Sequence, residues 1–108
     1  MKHFVIDVDG VMTDGGIYYT IEGKMMKRFG PDDHDALNLL RDKLEIFFIS
    51  GDRKGFEISR KRISEHMNFD LYLVSTVRRV GWLEEKVDLS ETIFMGDGIF
   101  DHLVFDKV

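Results

Sequence analysis

Three short apolar runs in this chain each end on an acidic or hydroxyl residue beside a glycine. Phe4 to Val8 leads through Asp7-Val8-Asp9 to Gly10, Ile46 to Ile49 ends at Ser50-Gly51, and Thr92 to Met95 ends at Gly96-Asp97. Runs this short, continuously apolar and rich in β-branched or aromatic residues suit strands covered on both faces. Leu71 to Val74 reads as a further strand of the same kind. Helical patterns fill the intervals. Strands alternating with helices require right-handed crossovers and a parallel α/β sheet. Such a sheet gathers its chemistry outside the carboxyl ends of its strands, where Asp7, Asp9, Ser50 and Asp97 fall.

The intervals can be read one by one. Ile17 to Ile21, a Glu22-Gly23-Lys24 turn and Met25 to Phe29 predict a β-hairpin over about 17–29. Its apolar and aromatic residues exceed what a lone hairpin buries, so a packing neighbour is expected. Pro31-Asp32-Asp33 starts a helix carrying Ala36, Leu37, Leu40 and Leu44 on one stripe. A second helix runs from about Gly55 to Met67, with Phe56, Ile63 and Met67 inward. Ser75 or Thr76 caps a third, which carries Val80, Leu83 and Val87. Ile99 begins another, with Phe100, Leu103 and Val104 available to pack.

The chain has 108 residues, enough for one domain over 1–108 with one modest core. A net charge of −5 argues against a nucleic-acid binder, which needs a basic stripe. Arg53, Lys54, Arg60, Lys61 and Arg62 cluster, but Glu57 and Glu65 interleave with them, as on a solvated helix face. There is no cysteine, so neither a disulfide framework nor a thiolate metal site exists. No apolar stretch approaches membrane-spanning length, and no signal peptide is recognised, so a cytoplasmic protein with no membrane partner is expected.

An Asp-x-Asp pair alone is weak, because charged residues often terminate strands. Asp97 and Asp101, in Gly96-Asp97-Gly98-Ile99-Phe100-Asp101, change the weighing, since the fold brings these strand ends together. Several carboxylates in one cleft repel and are driven to protonate unless a cation neutralises them. Hard oxygen donors in an incomplete cage suit Mg²⁺, with room left for water and a substrate phosphate. A carboxylate there can attack phosphorus, and a second, two residues on, can protonate the leaving oxygen and then activate water. The Ser50 hydroxyl and backbone amides at Ser50-Gly51 suit phosphoryl oxygens. Structural readings stay open for single residues: Ser50 as a helix cap, Asp101 as a helix-start acid.

Three segments carry a family resemblance. DVDGVMTDGG resembles the first motif of haloacid dehalogenase phosphatases, FFISG their second and MGDGIFD their fourth. The run through the hairpin to FGPDDHDALNLLRD and ISGDR is most similar to the 3-deoxy-D-manno-octulosonate 8-phosphate phosphatase subfamily. The resemblance implies a Rossmann-like core without a cap domain, and a Mg²⁺-dependent phosphatase acting on a small, anionic sugar-acid phosphate. It implies Asp7 as nucleophile and metal ligand, and Asp9 as general acid/base that also offers its carbonyl to the metal. Ser50 and Gly51 would bind phosphate, Asp97 would complete the metal's ligands and Asp101 would support them. The hairpin would be an oligomerisation element, with tetramer neighbours walling the active site.

Four departures stand beside this resemblance. The family's third-motif lysine aligns with Arg79, read either as a phosphate-side cation or as a surface helix residue; Lys86 lies two helical turns away. Asp52 interrupts the usual Ser-Gly-Arg, displacing an arginine to Arg53. Gly98 and Phe100 replace an acid and an amide, with Phe100 expected to pack inward. The chain ends at Val108 where the subfamily continues through another strand and helix, so it is expected to be C-terminally shortened with an open sheet edge. Two other functions are carried: a catalytically weak metal- or phosphate-binding subunit, and a receiver-type phospho-acceptor domain. The receiver needs an aspartate ending its third strand, where this chain has Leu73-Val74-Ser75-Thr76. Substrate contacts from the loop around Asp32 to Asp35, His34 and Asp35 included, are weighed against plain solvent exposure.

Overall fold

The computed structural model describes residues 1–108. Four strands form a parallel sheet: β1 (His3–Asp7), β4 (Glu45–Ser50), β5 (Asp70–Leu73) and β6 (Thr92–Met95), in the order β5-β4-β1-β6. The central pair is the most apolar in sequence and the most buried, as a strand covered on both faces must be. Alternate residues divide between the two faces. Phe4, Ile6, Ile46 and Phe48 join Ile63, Met67 and Phe69 on one side; Val5, Phe47 and Ile49 join Leu83, Val87 and Val104 on the other. The architecture is the Rossmann-like α/β core expected.

The helices are α1 (Asp33–Leu40), α2 (Phe56–Arg60, continued by a π-helical turn Lys61–His66), α3 (Arg79–Lys86) and α4 (His102–Phe105). In α1 only Leu37 of the expected stripe is fully buried; Leu40 and Leu44 pack partly and Ala36 is exposed. In α2, Ser59, Ile63 and Met67 face inward, whereas Phe56 is only half-buried. The buried Ser59 hydroxyl accepts a hydrogen bond from Lys27. Phe100 does not pack inward as expected: it keeps 40% of its surface, and Val104 is the buried residue of this terminal helix.

The hairpin begins earlier than the sequence suggests. It pairs β2 (Thr13–Thr20) with β3 (Gly23–Phe29) in a separate two-stranded sheet. Gly15 at φ +83 sits where the register slips between Thr13 and Ile17, an irregularity that periodicity alone does not reveal. Tyr18, Tyr19, Ile21, Met25 and Met26 are exposed along this hairpin. β6 is an edge strand of the main sheet, with Ile93 and Met95 exposed. No helix is long and apolar enough to cross a membrane.

Candidate active site

Asp7 closes β1 and is buried, with its Oδ1 accepting the backbone N–H of Val8 at 2.9 Å. The chain then turns sharply. The amides of Val11, Met12 and Thr13 all converge on the Val8 carbonyl, and the buried Thr13 hydroxyl accepts N–H bonds from Gly10 and Gly15 at 3.1 Å each. Gly10 adopts φ +83, and a Cβ there would lie 1.7 Å from Asp97 Oδ2. The positive φ favours glycine at this position, and any side chain there would have to displace the Asp97 carboxylate.

The approach of the β6 loop assembles an acidic cluster. One carboxylate oxygen each of Asp7, Asp97 and Asp101 lies within 4.8 Å of the others. Asp101 is wholly buried and engaged at both oxygens, Oδ1 by Arg79 at 2.7 Å and Oδ2 by the Gly98 N–H at 2.8 Å. It thus orients the loop, while Asp97 is exposed. Burial pushes the Asp7 carboxyl up to about 6; Arg79 opposes the shift and Asp101 and Asp97 add to it.

Arg79 is no surface residue. Its side chain is 2% exposed, and Nη1 lies 2.7 Å from Asp101 Oδ1 and 3.4 Å from Asp7 Oδ2. The first turn of α3 thus delivers a fixed cation to the Asp7 carboxylate. Lys86 lies elsewhere, against the Tyr72 ring and hydroxyl. Ser50 is buried at the end of β4; its hydroxyl donates to Asp9 Oδ2 at 3.2 Å and accepts the Asp52 N–H at 3.2 Å. A Cβ on Gly51 would meet Thr76 Cγ2 at 2.8 Å and the Val74 carbonyl at 3.3 Å, so a side chain there would crowd the β5 loop. The structure therefore brings together Asp7, Asp9, Ser50, Gly51, Arg79, Asp97 and Asp101.

The sequence reading missed two lysines of the hairpin. Lys27 on β3 is fully buried, with Nζ 2.8 Å from Asp9 Oδ1, 3.0 Å from Asp52 Oδ2 and 2.8 Å from the Ser59 hydroxyl. Lys24 pairs with Asp52 Oδ1. Burial alone would raise the Asp52 carboxyl, but Lys24, Lys27 and the Gly55 N–H outweigh it and bring it down to about 2. Arg53 is exposed and forms no ion pair within the chain. Around Arg60 the basic cluster is the solvated face expected: Arg60 pairs with Glu57 and Glu65, and Lys61 with Glu65.

Three carboxylates lie together here with one guanidinium, paired to Asp7 and Asp101, which leaves uncompensated negative charge on oxygen donors at the strand ends. That donor set fits a hard divalent cation, for which Asp7 and Asp97 offer side-chain oxygens. The Asp9 carboxylate is turned away towards Ser50 and Lys27, so only its backbone carbonyl could join them.

No family profile matches the chain. A curated relative, the 3-deoxy-D-manno-octulosonate 8-phosphate phosphatase of Haemophilus influenzae, is 26% identical over 107 residues, covering 94% of this chain and 58% of the relative. The cobalt-bound form of the Haemophilus influenzae deoxy-D-mannose-octulosonate 8-phosphate phosphatase superposes with a TM-score of 0.80 at 27% identity, over 99% of this chain and 64% of that one. The Moraxella catarrhalis 3-deoxy-D-manno-octulosonate 8-phosphate phosphatase, in complex with magnesium, phosphate and the sugar acid, gives 0.73 at 25% identity, over 94% and 60%. The chain thus spans about three fifths of the length of these relatives. In sequence and in fold it resembles the 3-deoxy-D-manno-octulosonate 8-phosphate phosphatases of the haloacid dehalogenase type.

Proposed function

We propose that this chain is the core of a cytoplasmic, magnesium-dependent phosphomonoester hydrolase acting on a small sugar-acid phosphate. The reading rests on one observation above all: buried Asp7, at the carboxyl end of β1, has Asp97 and Asp101 within 4.8 Å and a single guanidinium to offset them. Relatives with the same fold are phosphatases of such a substrate, and one holds magnesium and phosphate. Mg²⁺, held by Asp7, Asp97 and the Asp9 carbonyl, would supply charge neutralisation for the carboxylates and the phosphoryl oxygens.

The chain's own residues account for the rest. An Asp7 oxygen attacks phosphorus in line with the ester oxygen, and Asp9 gives its proton to that oxygen as the P–O bond breaks. Asp101 fixes the Arg79 guanidinium, which holds the Asp7 carboxylate for the attack. The Ser50 hydroxyl and the Gly51 backbone bind the transferring phosphoryl oxygens. Asp9 then takes a proton from water, which attacks the aspartyl-phosphate at phosphorus, releasing phosphate and restoring Asp7.

Phosphate release from a panel of sugar phosphates, with Mg²⁺ and with chelator, tests this. Metal-dependent release is expected. Metal-dependent phosphate binding without release would instead favour a catalytically weak binding subunit. The exposed Tyr18, Tyr19, Ile21, Met25 and Met26 suit association of copies through the hairpin. Light scattering is expected to show a defined oligomer, and a stable monomer would exclude it.

A further inference from the structure

Lys27 has no part in the scheme above, yet its ammonium is wholly buried and touches the residue that scheme uses as acid and base. A desolvated ammonium is costly unless anions and hydrogen bonds surround it. Asp52 supplies one anion and the Ser59 hydroxyl accepts a hydrogen bond. The third partner is Asp9 Oδ1 at 2.8 Å, an ion pair lying off the direction of a hydrogen bond. The other oxygen, Oδ2, meets the Ser50 hydroxyl. The two oxygens of Asp9 are therefore not equivalent: one is tied to a buried cation, the other faces the hydroxyl read as the phosphate site.

We infer that Lys27 is a positioning residue for Asp9, and that Asp9 Oδ2 is the oxygen that exchanges the proton with the leaving group. The inference rests on the phosphatase reading. When Ser50 turns its hydroxyl to a bound phosphate, Oδ2 is free to take a proton from solvent, or from a substrate bound as its monoanion, and to pass it to the ester oxygen. Lys27 keeps Oδ1 in place, so the carboxyl does not rotate. Asp52 balances Lys27 and, through Lys24, ties the hairpin to the β4 loop. The hairpin thereby sets the geometry of the acid/base step from within the same chain.

The test compares two esters that differ in their need for a proton: an alkyl sugar phosphate, whose alkoxide must be protonated, and p-nitrophenyl phosphate, whose nitrophenolate leaves without one. In Lys27→Met, kcat/KM, which reads only the steps through release of the leaving group, is expected to fall by about tenfold or more for the alkyl ester and to stay within about threefold of wild type for the nitrophenyl ester. Lys27→Arg, which keeps the charge, is expected to return most of the alkyl rate. Lys27→Gln replaces the methionine variant if the latter does not fold, with the same expectation. Equal losses on both esters would overturn the inference. So would a Lys27→Met/Asp52→Asn double variant that regains the wild-type ratio of rates, because Lys27 would then serve only to balance Asp52. No recovery in Lys27→Arg also overturns it. A wild-type chain that hydrolyses neither ester overturns the phosphatase reading itself, and this inference with it.

Discussion

Two charged clusters lie side by side at the strand ends, and they are balanced differently. Around Asp7, three carboxylates face one guanidinium. Around Asp52, two carboxylates face two ammonium groups. The first cluster is left short of positive charge, and the Asp7 carboxyl is correspondingly pushed up to about 6 by burial against the pull of Arg79. The second is self-compensating, and the Asp52 carboxyl is brought down to about 2 despite its burial. A cluster that lacks charge is one that can take up a cation and an anionic substrate; a cluster that is complete can only hold things in place. In the proposed phosphatase, reaction chemistry and positioning are thus divided between neighbouring loops.

Breaking the first cluster should have the largest effect on stability. Arg79→Met leaves buried Asp101 and Asp7 without their cation, and is expected to cost roughly 3–5 kcal/mol in urea unfolding. Arg79→Lys keeps the charge but loses guanidinium geometry, and should cost less. A loss from Arg79→Met no greater than that of a surface substitution would mean Arg79 does not neutralise these carboxylates.

The pH dependence sharpens the contrast, because the two aspartates act with opposite sign. With its folded value raised from 3.8 to about 6, Asp7 binds more protons in the folded state across that interval. Its contribution to stability is present below about pH 4 and lost as pH rises through about 6, with a ceiling of about 3 kcal/mol. In chelator, unfolding measured from pH 4 to 7 should show this loss, Asp7→Asn should flatten it, and added Mg²⁺ should offset it increasingly with pH. Asp52 runs the other way. Its value falls from 3.8 to about 2, so its stabilisation is present above about pH 4 and lost as pH drops through about 2. Asp52→Asn should cost about 2 kcal/mol at neutral pH and flatten that acid limb, the smallest of the three effects.

Much of the sheet was legible because it is written locally. Ile46 to Ile49 and Thr92 to Met95 are short apolar runs bounded by polar residues, and they are the strands found. The grouping of the candidate residues at strand ends followed from topology; Arg79 was a candidate from its alignment with a lysine motif, with a surface position as the alternative, and only the structure gives its burial. Lys27 was missed because nothing in Lys-Met-Met-Lys-Arg-Phe marks one lysine as buried; its partners lie on the β1 loop, the β4 loop and α2, far away in sequence. One signal was available. Asp52 follows directly on Ser50-Gly51, and an acid at a phosphate site demands a cation from somewhere. Likewise, the inward turn of Ser59 in place of Phe56 depends on what the hairpin inserts there, which helical periodicity does not record.

The central claim is that Asp7 carries the phosphoryl group between two steps. The most direct measurement is acid quench of the protein during turnover of a sugar phosphate with Mg²⁺, followed by peptide mass mapping. The account predicts one phosphoryl group on the peptide containing Asp7, absent in Asp7→Asn, a variant expected to lose turnover by at least about a thousandfold while staying folded. Turnover that persists in Asp7→Asn, or a phosphoryl group trapped on another residue, would contradict it.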